Sequence, residues 1–227
     1  MQLSYSVRRS PKRKTLTITV ERDRRVIVHA PSSASDEAIQ RVVDSRRQWI
    51  FEKLHHSQKY RELPHPPGKE LVNGESALYL GRSYRIEVVA QGKGEIEFSH
   101  RFLIPASHAV RRKGAMREWY VAKANEKILP RVERHAHELG VEFKRASIVD
   151  NRYRWGSCTI RDNVSFNWRL IKAPTFVIDY VIVHELAHLI EPNHTPRFWN
   201  VVGAHVPKME KARTWLNDNG QVLEEEI

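Results

Sequence analysis

The sequence predicts an α+β fold in which strands fill the first half and helices the second. Three observations carry this. Residues 15–20 alternate polar and apolar with period two. Helical periodicity takes over after about residue 111. An almost wholly apolar run at residues 176–183 leads into two histidines four apart. On this basis we divide the chain into a β-rich N-terminal region with one helix, residues 1–110, and a mainly helical region, residues 111–227.

The elements follow in order. Residues 15–20 read as a half-buried strand, and Val26, Ile27 and Val28 as its hairpin partner, stopped at Pro31. A helix is predicted next. Ser33 or Ser35 caps it, Asp36 and Glu37 favour its positive end, and Ile39, Val43, Ile50 and Leu54 share a face. The stretch 63–68, LPHPPG, breaks regular structure. Residues 76–104 suggest three strands separated by turns at Gly81 and at residues 91–94.

A long helix from about residue 114 to 139 is supported by Met116, Trp119, Tyr120, Ile128 and Val132. Pro130 would interrupt or kink it, and Gly140 is placed to stop it. A second hairpin is expected between residues 146 and 171, turning near Asp162, and Pro174 opens the next helix. Thr195 and Pro196 read as an N-cap followed by proline at the first helical position. A last helix is expected over residues 207–216, ending near Gly220.

Composition narrows the function classes. Hydrophobic residues make up 41% of 227, with six Trp, seven Tyr and seven Phe, enough for a substantial core. The chain lacks an apolar stretch of eighteen residues, so no transmembrane helix is expected. Its first twenty residues lack the apolar core of a secretory signal. The single cysteine, Cys158, excludes an internal disulfide and a four-thiolate zinc site, and fits a cytoplasmic location. The formal charge of +11 favours contact with nucleic acid or nucleotides through a basic surface. Oligomeric state is not readable from the sequence.

The chemistry gathers at His184-Glu185-Leu186-Ala187-His188. Residues four apart on a helix project to one side, so both imidazoles can grip one Zn2+ ion, and Glu185 can reach over it as general base. Zinc needs a third ligand and an open position for water. His194 and Glu191 are the candidates. His194 is favoured by its reach around Pro192 and by zinc's affinity for imidazole. Tyr153, Arg154 and Asn167 are candidates for binding substrate and stabilising an oxyanion. Gly156 would permit a close approach or bulge, Trp155 and Cys158 would pack the core, and Asp179 would support the helix. His55, His56, His65, His135 and His137 are expected at the surface, and His205 near the cleft or in solvent.

Four ordered segments match a known family: Arg154-Trp155-Gly156-Ser157-Cys158, Asn167-Trp168-Arg169-Leu170, the residues 178–188 that carry the His-Glu-x-x-His motif, and Asn193-His194-Thr195-Pro196-Arg197-Phe198-Trp199. In these the chain resembles the YgjP-like metal-dependent hydrolases, which are similar to SprT-like and WLM zinc metallopeptidases. The resemblance runs over nearly the whole length. It implies a zincin-like catalytic domain with a short antiparallel sheet against the metal helix, zinc on His184, His188 and His194, and Glu185 as base. The ligand spacing is also that of the metzincins, which have glycine where this chain has Glu191.

The expected function is a zinc-dependent hydrolase, a metallopeptidase that cleaves peptide bonds with zinc-activated water. Two other readings fit the charge. One is a metal-dependent phosphohydrolase acting on nucleotides, which would lack the usual GxxxxGK[ST] loop. The other is a nucleic-acid-associated protease.

Overall fold

The computed structural model describes residues 3–20, 25–54, 69–90, 94–151 and 154–224. The chain forms two compact units, residues 1–63 and 64–227.

The first unit is a three-stranded sheet covered by two helices. Strand β2 (Thr17–Val20) pairs antiparallel with β3 (Val26–Pro31), as the alternation predicts. A further strand, β1 (Ser6–Ser10), pairs parallel with β3 on the other side. It was not predicted, because its burial gives no alternating signal: all but Ser10 are exposed. Ser35 caps α1 (Asp36–Ser45) by accepting the N–H of Ala38. The expected single helix is in fact two. Arg46 ends α1, and α2 (Arg47–Leu54) begins after it. Ser45 turns its hydroxyl back onto the Val42 carbonyl, the local competition that weakens helices at serine. Val26, Val28, Ala30, Ile39, Val43 and Ile50 form this unit's core.

The second unit opens with a four-stranded sheet of order β4-β5-β7-β6 (β4 Ser76–Tyr79, β5 Arg82–Val89, β6 Glu97–Phe98, β7 Phe102–Pro105). This is one strand more than expected. The division anticipated near residue 110 falls inside this unit. Ile86, Phe102 and Ile104 of the sheet share one core with Met116, Tyr120 and Ile128 of the following helix. That helix, α3 (Arg112–Leu139), runs on through Pro130 and ends at Gly140, whose φ of 67° is the left-handed cap that glycine adopts without strain.

Strands β8 (Arg145–Val149), β9 (Gly156–Cys158) and β10 (Asn163–Asn167) make the second sheet of this unit. Its order is β8-β10-β9, with β8 parallel and β9 antiparallel to β10, so the sheet is mixed where an antiparallel one was expected. A 3-10 turn, Trp168–Lys172, follows in place of continued strand. Helix α4 (Thr175–Ala187) is buried along nearly its whole length, as its apolar run requires. Thr195 caps α5 (Pro196–His205), accepting the N–H of Phe198. Helix α6 (Met209–Glu224) runs well past the expected stop at Gly220. Gly220 is buried and Leu223 wholly so, with Lys172 Nζ donating to the Leu223 carbonyl at 3.1 Å. Packing there overrides the weak helix propensity of glycine.

Candidate metal centre

The centre begins at the C-terminal end of α4. His184 lies on its last turn and His188 caps it. The chain turns at once, with Glu191 N–H donating to the Ala187 carbonyl at 2.9 Å. Helix α4 ends at Ala187, five residues before Pro192, which was expected to force the exit. The Thr195 cap then starts α5 and fixes the segment carrying His194.

Ligand-capable nitrogens of His184, His188 and His194 all lie within 4.8 Å of one another. His184 Nε2 faces His194 Nε2 at 3.1 Å. Two nitrogens on one tetrahedral zinc, each about 2.0–2.1 Å from it, are spaced by about 3.3 Å, so this separation suits a shared ion. His188 Nδ1 lies 3.3 Å from the Glu191 carbonyl, an acceptor, so Nδ1 is placed to donate there and Nε2 is the nitrogen left to face an ion. Buried His184 Nδ1 has no hydrogen-bond partner among the described residues, which leaves Nε2 as that ring's one polar engagement. Burial, then the neighbouring His188, His194 and Arg213, push the His184 imidazole down to about 3. Burial and His188 also lower that of His194. Three imidazoles facing one point fit a borderline-soft divalent ion such as zinc. Glu191 contributes its backbone carbonyl, not its carboxylate, to this arrangement.

Aromatic rings fix the imidazoles. Phe198 is fully buried, with its ring 5.0, 4.6 and 4.7 Å from those of His184, His188 and His194. Trp199 stacks on His194 at 5.4 Å. At the other end of α4, Asp179 is held by Arg131 at 2.9 Å and by His135 at 3.2 Å, both from α3. His135 is thus buried, contrary to the surface position expected of it, because it bridges Asp179 and Glu138. His137 is exposed, as is His205, whose Nδ1 meets the Val201 carbonyl; His55, His56 and His65 lie outside the described residues.

Glu185 is 8% exposed, and its carboxylate accepts the backbone N–H of Cys158 in β9. Burial pushes its carboxyl up to about 7, against the opposing Arg154 charge and the Cys158 N–H. The strand comes this close because residue 156 is glycine. A Cβ there would lie 2.5 Å from Glu185 Cγ and 2.8 Å from its Oε1. Burial and the Glu185 charge raise the Cys158 thiol, which argues against a thiolate nucleophile.

The remaining candidates divide. Arg154 is exposed, with its charge felt at Glu185. Asn167 is fully buried, and its amide donates to the carbonyls of Asn151 at 2.6 Å and Arg154 at 3.2 Å. Both donors are spent inside the chain, so Asn167 secures the loop leading to Arg154 and has none left for an oxyanion. Tyr153 lies outside the described residues. Two residues near the centre were not anticipated. Tyr180 sits one turn before His184, its ring 5.9 Å away, a position the i,i+4 spacing could have revealed. Arg213 of α6 lies over Trp199 at 4.9 Å, and nothing local in the sequence points to it.

No helix among the described residues is long and apolar enough to cross a membrane. No curated protein matches the chain. Among solved structures, the crystal structure of the metallopeptidase zymogen of Pyrococcus abyssi abylysin matches 39% of this chain and 91% of its own, at 18% identity and a TM-score of 0.34. The family model described as YgjP-like, metallopeptidase domain, matches residues 14–219. By that match across both units, the chain belongs to the YgjP-like metallopeptidase family.

Proposed function

We propose that the protein is a zinc-dependent peptidase whose metal is held by His184, His188 and His194, with Glu185 as general base. The observation that carries this is the convergence of three imidazoles beside a buried carboxylate one residue along the helix from His184. A bound zinc ion would supply Lewis acidity, polarising a carbonyl and acidifying water. Glu185 takes a proton from the attacking water and returns it to the leaving amine. A carboxyl poised near neutrality suits both transfers, since it can accept and release a proton at the same pH. The Cys158 N–H and the close backbone at Gly156 hold that carboxylate in one place. Arg154 contributes substrate binding at the edge of the centre. The work is set in the cytoplasm, in keeping with the single cysteine, and subcellular fractionation checks it.

The test is a screen of zinc-loaded protein against casein-like peptides and nucleoside triphosphates, with metal-free and Glu185→Gln controls. Peptide cleavage that needs both zinc and Glu185 is the expected result. Zinc-dependent turnover of nucleotides with intact peptides would replace the peptidase reading.

A further inference from the structure

Charge is unevenly shared between the two units. Residues 1–63 hold 14 Lys and Arg against 7 Asp and Glu, net +7, which leaves +4 for residues 64–227. Within the first unit the signs separate again. Residues 3–20 carry five cations, Arg8, Arg9, Lys12, Arg13 and Lys14, and no acid. The described acids of this unit, Asp36, Glu37, Asp44 and Glu52, lie on the helices. Asp36 pairs with Arg9 at 2.5 Å, Asp44 accepts from Gln40 and Glu52 from Gln48.

A groove of about 250 Å³ opens beside this basic segment, lined by Leu16, Thr17 and Ile18 of the β2 region and by Val42, Arg46 and Trp49 of the helices. Trp49 is half-buried, with apolar side chains around it, and Arg46 is exposed at the junction of α1 and α2. Arg13 is tied to the groove wall, its guanidinium donating to Thr17 Oγ1 at 2.7 Å. An indole in a groove that Arg46 lines and Arg13 adjoins through Thr17 has the two parts that unpaired nucleic acid needs: a flat surface for a base and positive charge for the flanking phosphates. A duplex hides its base faces and cannot use the indole. A run of acidic residues could use the cations but has no planar ring for the groove.

We propose that the N-terminal unit binds single-stranded nucleic acid, with one base stacked on Trp49 and the backbone running over Arg46, Arg13 and the adjoining lysines. This binding is independent of the metal centre and of peptide hydrolysis.

The test uses the full-length protein and fluorescence anisotropy with a labelled twelve-nucleotide oligothymidylate, across a range of salt. The single strand should bind more tightly than a duplex of equal length and resist competition by polyglutamate. Trp49→Leu and Arg46→Glu should each weaken binding about tenfold or more, since one base–aromatic stack or one cation exchanged for an acid accounts for such a factor. Lys12→Gln with Lys14→Gln should flatten the dependence of log affinity on log salt by about 1.4, roughly 0.7 per lost phosphate contact. Thermal melting checks each variant's fold; if Trp49→Leu is unfolded, Arg46→Glu and the lysine pair carry the test. Equal binding of duplex and single strand, displacement by polyglutamate at matched charge, or affinity unchanged in the folded variants would each overturn the proposal.

Discussion

Replacing Gly156 by Ala places a methyl group 2.5 Å from Glu185 Cγ, 2.8 Å from its Oε1 and 2.9 Å from its Cδ. Carbon atoms in contact normally lie about 3.5–4.0 Å apart, so one side must move by about 1 Å. Neither moves freely. Glu185 sits in the buried α4 helix, and its carboxylate is tied to the Cys158 N–H two residues along the same strand. Overpacking of this kind costs about 1–3 kcal/mol. In a unit of this size that lowers the melting temperature by about 2–12 °C, at about 2–4 °C per kcal/mol. The larger effect should be on turnover, because a catalytic group displaced by about 1 Å can lose about 100-fold in rate. Metal affinity should change little, since no imidazole is touched. Gly203→Ala on α5 is the control. Its nearest neighbour is Met209 Cε at 4.0 Å, so it should be neutral or stabilising by up to about 1 kcal/mol. The assays are calorimetric melting, zinc titration and peptide hydrolysis, side by side. A Gly156→Ala protein that melts within about 1 °C of the parent would refute the reasoning, whatever its activity, since the destabilisation follows from the packing alone.

Further outcomes follow from the same geometry. His194→Ala should weaken zinc severely while Glu191→Ala leaves it nearly intact, as read by competition with a chelating dye; the reverse order would move the third ligand to Glu191. Elemental analysis should find about one zinc per chain, and chelation should lower the melting temperature of the parent but not of His194→Ala. Glu185→Gln should retain zinc and lose about 100-fold or more of any hydrolysis, the usual cost of removing a general base. Asp179 offers a pH prediction. Burial raises its carboxyl, but the hydrogen bond from His135 and the Arg131 charge outweigh that and hold it below its ordinary value. A depressed carboxyl stabilises the fold above its unfolded pKa, and that contribution is lost as pH falls through the folded value, below about pH 4. Asp179→Asn should therefore melt lower at neutral pH and lose less stability on acidification. Parallel acid profiles for the two proteins would remove Asp179 from this role.

Much of the centre was legible because its information is local. The four-residue spacing of His184 and His188 places both imidazoles on one face of any helix. The apolar residues before them required that helix to be buried, and Ser35, Thr195 and Gly140 marked three helix ends by side-chain or backbone preferences that act within one turn. The turn to His194 spans only six residues from His188, so its return could be argued from reach. Where local preference met long-range packing, the local reading gave way. Helix α6 continues past Gly220 because Leu223 is buried beyond it, and β1 pairs with β3 without an alternating pattern of its own.

By itself the sequence determined the α+β class, the metal helix and the set of histidines that could serve it. Only the tertiary structure decided what surrounds them. Asn167 turned out to be a buried anchor, His135 to be a bridge to Asp179, and Arg213 to approach the His184 side of the centre from α6. It also set Gly156 against Glu185, across 29 positions of chain, so that one missing side chain lets a strand support the carboxylate. Such pairings are chosen by the packing of whole elements, and a pairing between distant residues leaves no periodicity or spacing in either segment from which one chain could reveal it.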